Sequence, residues 1–427
     1  MPKIKNVLAR EILDSRGNPT IECDIILEDN SLGRYSVPSG ASKGKYEAHE
    51  LRDNDKNRYH SKGVLNAISN INKILKDNII NIEVLDQELI DNKLISLDES
   101  DNKSILGANS ILAVSMACVK AAANYEKKYL FEYLSDESSH ILPVPMINII
   151  NGGMHADNNV SIQEFMIAPI GFNKFKEALR AGSEIFHNLK NILKNKGLNT
   201  SVGDEGGFAP HLKSSNEAIE LILEAISKTG YKPGKEIYIS LDVASSSFFE
   251  NNLYKIYNEE KAINSENMCE YLIKLTNDYP IYSIEDGLAE NDFEGWKILS
   301  SRLNHKIQLV GDDLFATNLK LLKDGINNNI ANSILIKPNQ IGTLTETKNV
   351  IKHAKLNNYS CVISHRSGET EDTSIADLAV AFKTGQIKTG SISRSDRLAK
   401  YNQLLRIEEI LGNNALYAGN NILKFEK

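Results

Sequence analysis

Apolar and polar positions along this 427-residue chain follow two rhythms, and the change falls near residue 140. Before it, Ile21, Cys23 and Ile25 alternate with polar neighbours in NPTIECDIILED. This stretch lies between an opening IKNVLAREIL run and GRYSVPSG, which predicts a three-stranded antiparallel sheet. Val64, Ala67, Ile68, Ile71, Ile74 and Leu75 then recur at helical spacing, a stripe expected to face a core. A second stripe through Ile111, Val114, Ser115, Cys118 and Ala122 is small enough for close helix packing. Pro143 and Pro145 punctuate a new strand in HILPVPMINIING. The expected division is a small α+β domain over 1–140 and a larger domain over 141–427.

The larger part opens irregularly. PVPMINII and SIQEFMIAPI are separated only by the Gly/Asn/His-rich NGGMHADNN, which leaves no room for a helix, so the two runs should pair as antiparallel neighbours. Two helices follow, one from about Phe175 to Lys196. In the other, Ile219, Ile222, Leu223 and Ile226 fall at i, i+3, i+4 and i+7 before Gly230. From Ser240 to Gly390, apolar runs repeatedly end in a charged or metal-binding residue: Asp242, Glu285, Asp312, Lys337, His365 and Lys388. The intervals between these residues are 43, 27, 25, 28 and 23, and all but the first suit one strand plus one helix. The first includes an extra hairpin-like stretch at NNLYKIYNEE. The order is therefore ββαα followed by six βα units, a TIM-like barrel carrying an α+β cap.

Such barrels place their chemistry at the C-terminal ends of the strands. Three carboxylates, two lysines and a histidine would then converge on one mouth, a charge set suited to a divalent metal and to proton abstraction. An acidic residue after a strand is also a common helix N-cap, so each position taken singly has a structural explanation. Six coincidences along one register favour a shared site.

Composition narrows the class. Hydrophobic residues make up 41% and charged residues 25%, ordinary for a globular chain, and no apolar run reaches the ~18 residues of a membrane span. MPKIKNVLAR lacks a signal-peptide core, so a cytoplasmic location is expected. Cys23, Cys118, Cys269 and Cys361 show no CxxC spacing and read as reduced, buried thiols. A net charge of -7 argues against a nucleic-acid surface as the main function.

From DSRGNPT at Asp14 to RSDRLAKYNQLLRIEE ending at Glu409, the chain resembles the enolases, which interconvert 2-phosphoglycerate and phosphoenolpyruvate. VPSGASKG, NGGMHADN, QEFMIAP, GDEGGFAP, SLDVASS, SIEDG, VGDDL, KPNQIGT, SHRSGETED and IKTG stand in the family's order. The resemblance implies two Mg²⁺ ions per site. Asp242, Glu285 and Asp312 hold the first, with Asp313 the rival to Asp312, and Ser42 joins the second when the loop between Gly40 and Gly44 closes. It makes Lys337 the base at C2 and Glu205 the acid for the 3-hydroxyl, with Glu164 raising the pKa of Glu205 and His155 and Gln163 beside them. His365, Arg366 and Ser367 form the phosphate side, and Lys388 meets the substrate carboxylate. A homodimer or ring of dimers is implied, with Arg10 facing Glu409 across a twofold, and enolases are also recruited to RNA-processing assemblies and cell surfaces. Departures are Lys43 for the usual Thr, Met154 at a variable position and Ser61 for the first Gly of GKGV.

Overall fold

The computed structural model describes residues 2–40, 44–135, 140–156, 158–257 and 261–423. Ser42 and Lys43 lie outside the described residues. The opening strands β1 (Ile4–Leu13), β2 (Pro19–Leu27) and β3 (Leu32–Ser36) form an antiparallel sheet in the order β1-β2-β3. Against it lie the short helices α1 (Leu65–Asn70) and α2 (Lys76–Ile79), joined by a π-helical turn over Ile71–Leu75. α3 (Gln87–Ser96), α4 (Ala108–Tyr125) and α5 (Leu130–Leu134) complete the cap.

The π-helical turn corrects the first helical stripe. One wider turn rotates the buried face, so Val64, Ala67, Ile71, Leu75 and Ile79 are buried, while Ile74 is 43% exposed and Ile68 only partly covered. The second stripe is part of a helix buried nearly all round, with Ile111, Val114, Ser115, Cys118 and Ala122 each fully covered. Gly33 on β3 makes this close approach possible: a Cβ there would lie 2.0 Å from the Ala117 carbonyl oxygen.

The larger domain begins with β4 (His140–Leu142). It continues through β5 (Val144–Asn151), β6 (Glu164–Pro169), α6 (Phe175–Asn195), α7 (Ser215–Lys228) and β7 (Ile237–Asp242). A two-residue hairpin, β8 (Phe249–Glu250) and β9 (Leu253–Tyr254), fills the long interval after Asp242. The alternation then runs α8 (Ser265–Asp278), β10 (Ile281–Glu285), α9 (Phe293–Leu303), β11 (Gln308–Gly311), α10 (Leu319–Asn327), β12 (Ser333–Ile336). After α11 (Pro338–Ile341) and α12 (Leu344–Leu356) come β13 (Ser360–Ser364), α13 (Ser374–Ala381), β14 (Gln386–Lys388), α14 (Ser395–Leu411) and β15 (Ala415–Tyr417).

The strands β5, β6, β7, β10, β11, β12, β13 and β14 close into a barrel. β6 runs antiparallel to both β5 and β7, while the remaining pairs are parallel, as the missing first crossover helix requires. Every residue of β5 and β6 is buried, which is why these strands read as continuous apolar runs rather than alternating ones. Side-chain caps from Ser214, Asn264, Asp292 and Thr343 begin α7, α8, α9 and α12, so the outer helices start at fixed points beyond the strand ends. The four cysteines are free and buried. Among the described residues no helix is long and apolar enough to cross a membrane.

The cap sits over the C-terminal mouth. Ser39 and Gly368 exchange backbone hydrogen bonds of 2.7 and 2.8 Å, Ser15 donates its N–H to the Glu369 carbonyl at 2.7 Å, and Ala48 donates to the Gln340 carbonyl at 2.8 Å. These bonds hold the cap against α11 and the loop after β13.

Candidate active site

Asp242, Glu285 and Lys388 are the last residues of β7, β10 and β14, whereas Asp312, Lys337 and His365 directly follow β11, β12 and β13. The six strand-end residues therefore share the mouth that the cap covers. Facing them, Gln163 and Glu164 lie at the start of β6, which enters the mouth because it runs in reverse, and His155 and Glu205 come from the loops after β5 and α6. A cavity of about 220 Å³ is lined by His155, Gln163, Glu164, Glu205, Asp242 and Asp312, and by Lys337, His365, Arg366, Ser367 and Lys388. Met154, 65% exposed, stands at its rim. Glu285 lies behind this wall, fully buried, and reaches it through Lys388.

Lys388 is the electrostatic centre. Its Nζ lies 2.7 Å from Asp242 Oδ2, 2.8 Å from Glu285 Oε1 and 3.0 Å from Glu164 Oε1. Burial opposes its charge, but Asp242, Glu164 and Glu285 together raise its pKa well above the usual lysine value. One ammonium cannot balance three carboxylates. Burial, the Asp242 charge and Asp312 hold Glu285 well above the ordinary carboxylate range despite Lys388. Glu285 Oε2 and Glu164 Oε2 are buried without a hydrogen-bond partner. Surplus negative charge with unpartnered hard oxygens fits a divalent cation of the Mg²⁺ type.

The expected ligand trio is only partly gathered. Asp242 and Glu285 meet at Lys388, whereas Asp312 turns to Lys337 Nζ at 2.5 Å and to Gln340 Nε2 at 2.9 Å. The closest groupings of ligand-capable atoms among the described residues are His155 with Glu164 and Glu205, and Asp286 with Asp312 and Asp313. Asp286 accepts the backbone N–H groups of both Asp312 and Asp313 at 2.9 Å, which fixes the end of β11. Burial and the adjacent Asp312 push Asp313 up to about 7.

Lys337 holds its proton more tightly than a free lysine, and the expected assignment within the glutamate pair is corrected. Burial lowers the Lys337 pKa, and Arg366 and Lys388 add to that, but Asp312 and Glu285 raise it and leave the lysine above its ordinary value. Of the glutamate pair, Glu164 rather than Glu205 is raised: burial and the Glu205 charge hold its proton on, beyond what Lys388 offsets. Burial would raise Glu205 as well, but His155, His365 and Arg397 surround it and hold it well below the carboxylate range. His155 Nδ1 and His365 Nε2 approach its two oxygens at 3.4 and 3.6 Å, and Asn148 donates to it at 3.2 Å.

On the opposite wall, Arg366 donates to both oxygens of Glu47 at 3.0 and 3.1 Å and to Asn339 Oδ1 at 3.1 Å, so a cap residue closes this side. Sequence reasoning missed Glu47, Asn148, Asn339 and Arg397. Asn339 stands inside KPNQ, and Arg397 shares the buried stripe of α14 with Lys400, Tyr401, Leu404 and Ile407, so a charge at core spacing was its signal. Glu47 and Asn148 had none. Arg10, expected to face Glu409 of a second copy, pairs within its own sheet with Glu22 at 2.5 Å and with Asp24, while Glu409 is exposed.

A mouth of this kind supports proton removal beside a carboxylate that a metal and a lysine hold, with a second carboxylate pair on the far side to move another proton. The family model described as "Enolase, N-terminal domain" matches residues 4–134, and the one described as "Enolase, C-terminal TIM barrel domain" matches residues 139–426. With nearly every residue inside those two matches, the barrel, its cap and its charged mouth are those of a metal-dependent hydro-lyase, and the chain belongs to the enolase family.

Proposed function

We propose that this chain is a phosphopyruvate hydratase that interconverts 2-phosphoglycerate with phosphoenolpyruvate and water, a cytoplasmic step of glycolysis. The supporting observation is the placement of Lys337 and the Glu164–Glu205 pair on opposite sides of one buried, cation-demanding cavity. Asp242, Glu285 and Asp312 would hold one Mg²⁺, and Ser42, outside the described residues, would join a second. When bound, Mg²⁺ supplies positive charge against the substrate carboxylate and competes with the Lys337 ammonium for Asp312.

Lys388 then binds the same carboxylate, and Arg366 with Ser367 binds the phosphate, where a guanidinium fork now engaged by Glu47 matches the phosphate oxygens. Neutral Lys337 removes the C2 proton from one face. On the other face the Glu164–Glu205 dyad delivers a proton to the departing 3-hydroxyl, with His155 and Gln163 holding that end. Because the Glu205 charge helps to hold the proton on Glu164, that proton serves the pair as a whole. Assembly into dimers or rings of dimers belongs to the same reading, with Arg10 committed to its own sheet until a partner is present. An absorbance assay for phosphoenolpyruvate formed from 2-phosphoglycerate tests the proposal, and no product at saturating Mg²⁺ would reject it.

A further inference from the structure

We infer that Arg397 is a positioning residue that fixes His365 as the Nε2–H tautomer and so aims a hydrogen-bond donor at the Glu205 side of the cavity. This inference rests on the functional reading above. Arg397 projects from the first turn of α14 and is fully buried. Its Nη1 lies 2.6 Å from His365 Nδ1 and 2.5 Å from the Arg366 carbonyl oxygen. Its Nη2 lies 2.7 Å from the Ser367 carbonyl oxygen and 3.3 Å from that of Asp204. One planar group thus holds the three residues after β13 and the loop that carries Glu205. Gly390, at φ +80°, gives its stem passage, since a Cβ there would lie 2.8 Å from Arg397 Cδ.

A guanidinium has no acceptor and stays protonated, so a 2.6 Å contact places a lone pair on His365 Nδ1. The proton of the neutral ring is then on Nε2. That atom points to Glu205 Oε1 at 3.6 Å and has no hydrogen-bond partner although buried. Nδ1 cannot accept a proton without losing the Arg397 bond. Burial favours the neutral ring in the same sense, Arg397 and Lys388 reinforce it, and Glu205 opposes it without prevailing. The site therefore keeps one oriented, uncharged donor facing an oxygen acceptor in the cavity, where Glu205 alone would favour an imidazolium.

Nitrogen NMR of the full chain labelled with ¹⁵N-histidine, without substrate or metal, reads the tautomer directly once His365→Gln has assigned the signal. Wild type should show Nδ1 unprotonated and Nε2 protonated. Arg397→Lys keeps the charge but cannot span ring and carbonyls, so it should mix the tautomers and lower kcat about a hundredfold, with KM moved far less. A protonated Nδ1 in wild type overturns the inference, as does an unchanged ring pattern in Arg397→Lys. If that variant fails to fold, the wild-type spectrum still decides. Absence of phosphoenolpyruvate formation would reject the proposed reaction and leave the tautomer result standing.

Discussion

Replacing Lys388 with methionine keeps the length of the side chain and removes its charge from the centre of the site. Glu164, Asp242 and Glu285, each within 3.0 Å of its Nζ, would then be buried without their shared cation. Removing one partner of a buried ion pair costs about 3–5 kcal/mol, and three acceptors place this case toward the upper end. At about 2.1 cal/mol/K per residue, a barrel domain of roughly 290 residues has an unfolding entropy near 0.6 kcal/mol/K, so the melting temperature should fall by about 5–8 °C. The loss must also depend on pH. Glu164 and Glu285 already have raised folded-state pKa values, and a carboxylate of this kind contributes stability below its unfolded pKa that is lost as pH rises through the folded value. Without Lys388 the native cluster should hold about one further proton, which between pH 6 and 8 corresponds to about 2.7 kcal/mol. Scanning calorimetry without metal should therefore show a small deficit near pH 5.5 that widens toward pH 8. A deficit that is equal at both pH values, or smaller than about 2 °C at pH 8, would refute the claim that Lys388 neutralises the three carboxylates.

Four further outcomes are expected. Exhaustive chelation should abolish phosphoenolpyruvate formation and added Mg²⁺ should restore it; full activity in the chelated protein would contradict the cation reading of Asp242, Glu285 and Asp312. Lys337→Ala should lose both C2 deuterium exchange and turnover, whereas Glu205→Gln should retain exchange while dehydration collapses by on the order of a hundredfold or more, and exchange surviving in the lysine variant would remove Lys337 as the base. Arg366→Lys should raise KM despite keeping the charge, because a single ammonium cannot form the two-pronged phosphate contact, and unchanged kinetics would exclude the phosphate role. Ser61 stands at φ +73°, the left-handed region where the family's glycine carries no Cβ penalty, so Ser61→Gly should gain about 0.5–1 kcal/mol in denaturant unfolding; a loss of stability would show that the serine conformation is unstrained.

The barrel was legible because its strands are covered on both sides. Continuous apolar runs such as SILI and SCVIS end at the barrel mouth, and the first residue beyond each strand is a polar one aimed into it, as Lys337 and His365 are. The reversed β6 was legible from a simple length argument, since no helix fits between its strand and β5. What remained hidden depends on contacts between distant segments. A like-charge argument correctly says that one of two neighbouring glutamates must hold a proton, but the choice of Glu164 is made by His155, His365 and Arg397 converging on Glu205 from three separate segments. The rotation of the buried face at Ile71–Leu75 was hidden for a different reason: a π-helical turn changes the period itself, so Ile74 fits the helical template and still points to solvent.

The loop after β13 explains why a cap belongs on this barrel. Its six residues from His365 to Thr370 carry the proposed phosphate ligands, and loops at a barrel mouth are ordinarily mobile. Here two buried cations one helical turn apart on α14 hold it from beneath: Arg397 takes the Arg366 and Ser367 carbonyls, and Lys400 takes Glu369 Oε2 at 2.8 Å and the Thr370 carbonyl at 2.6 Å. From above, Ser15, Ser36 and Ser39 of the cap bond to Glu369, Thr370 and Gly368, and Glu47 occupies the Arg366 fork. The same segment is thus both the chemical wall and the docking surface. Loosening the cap would free Arg366 from Glu47 and release the backbone that Arg397 aligns, so phosphate binding and domain docking draw on the same set of bonds.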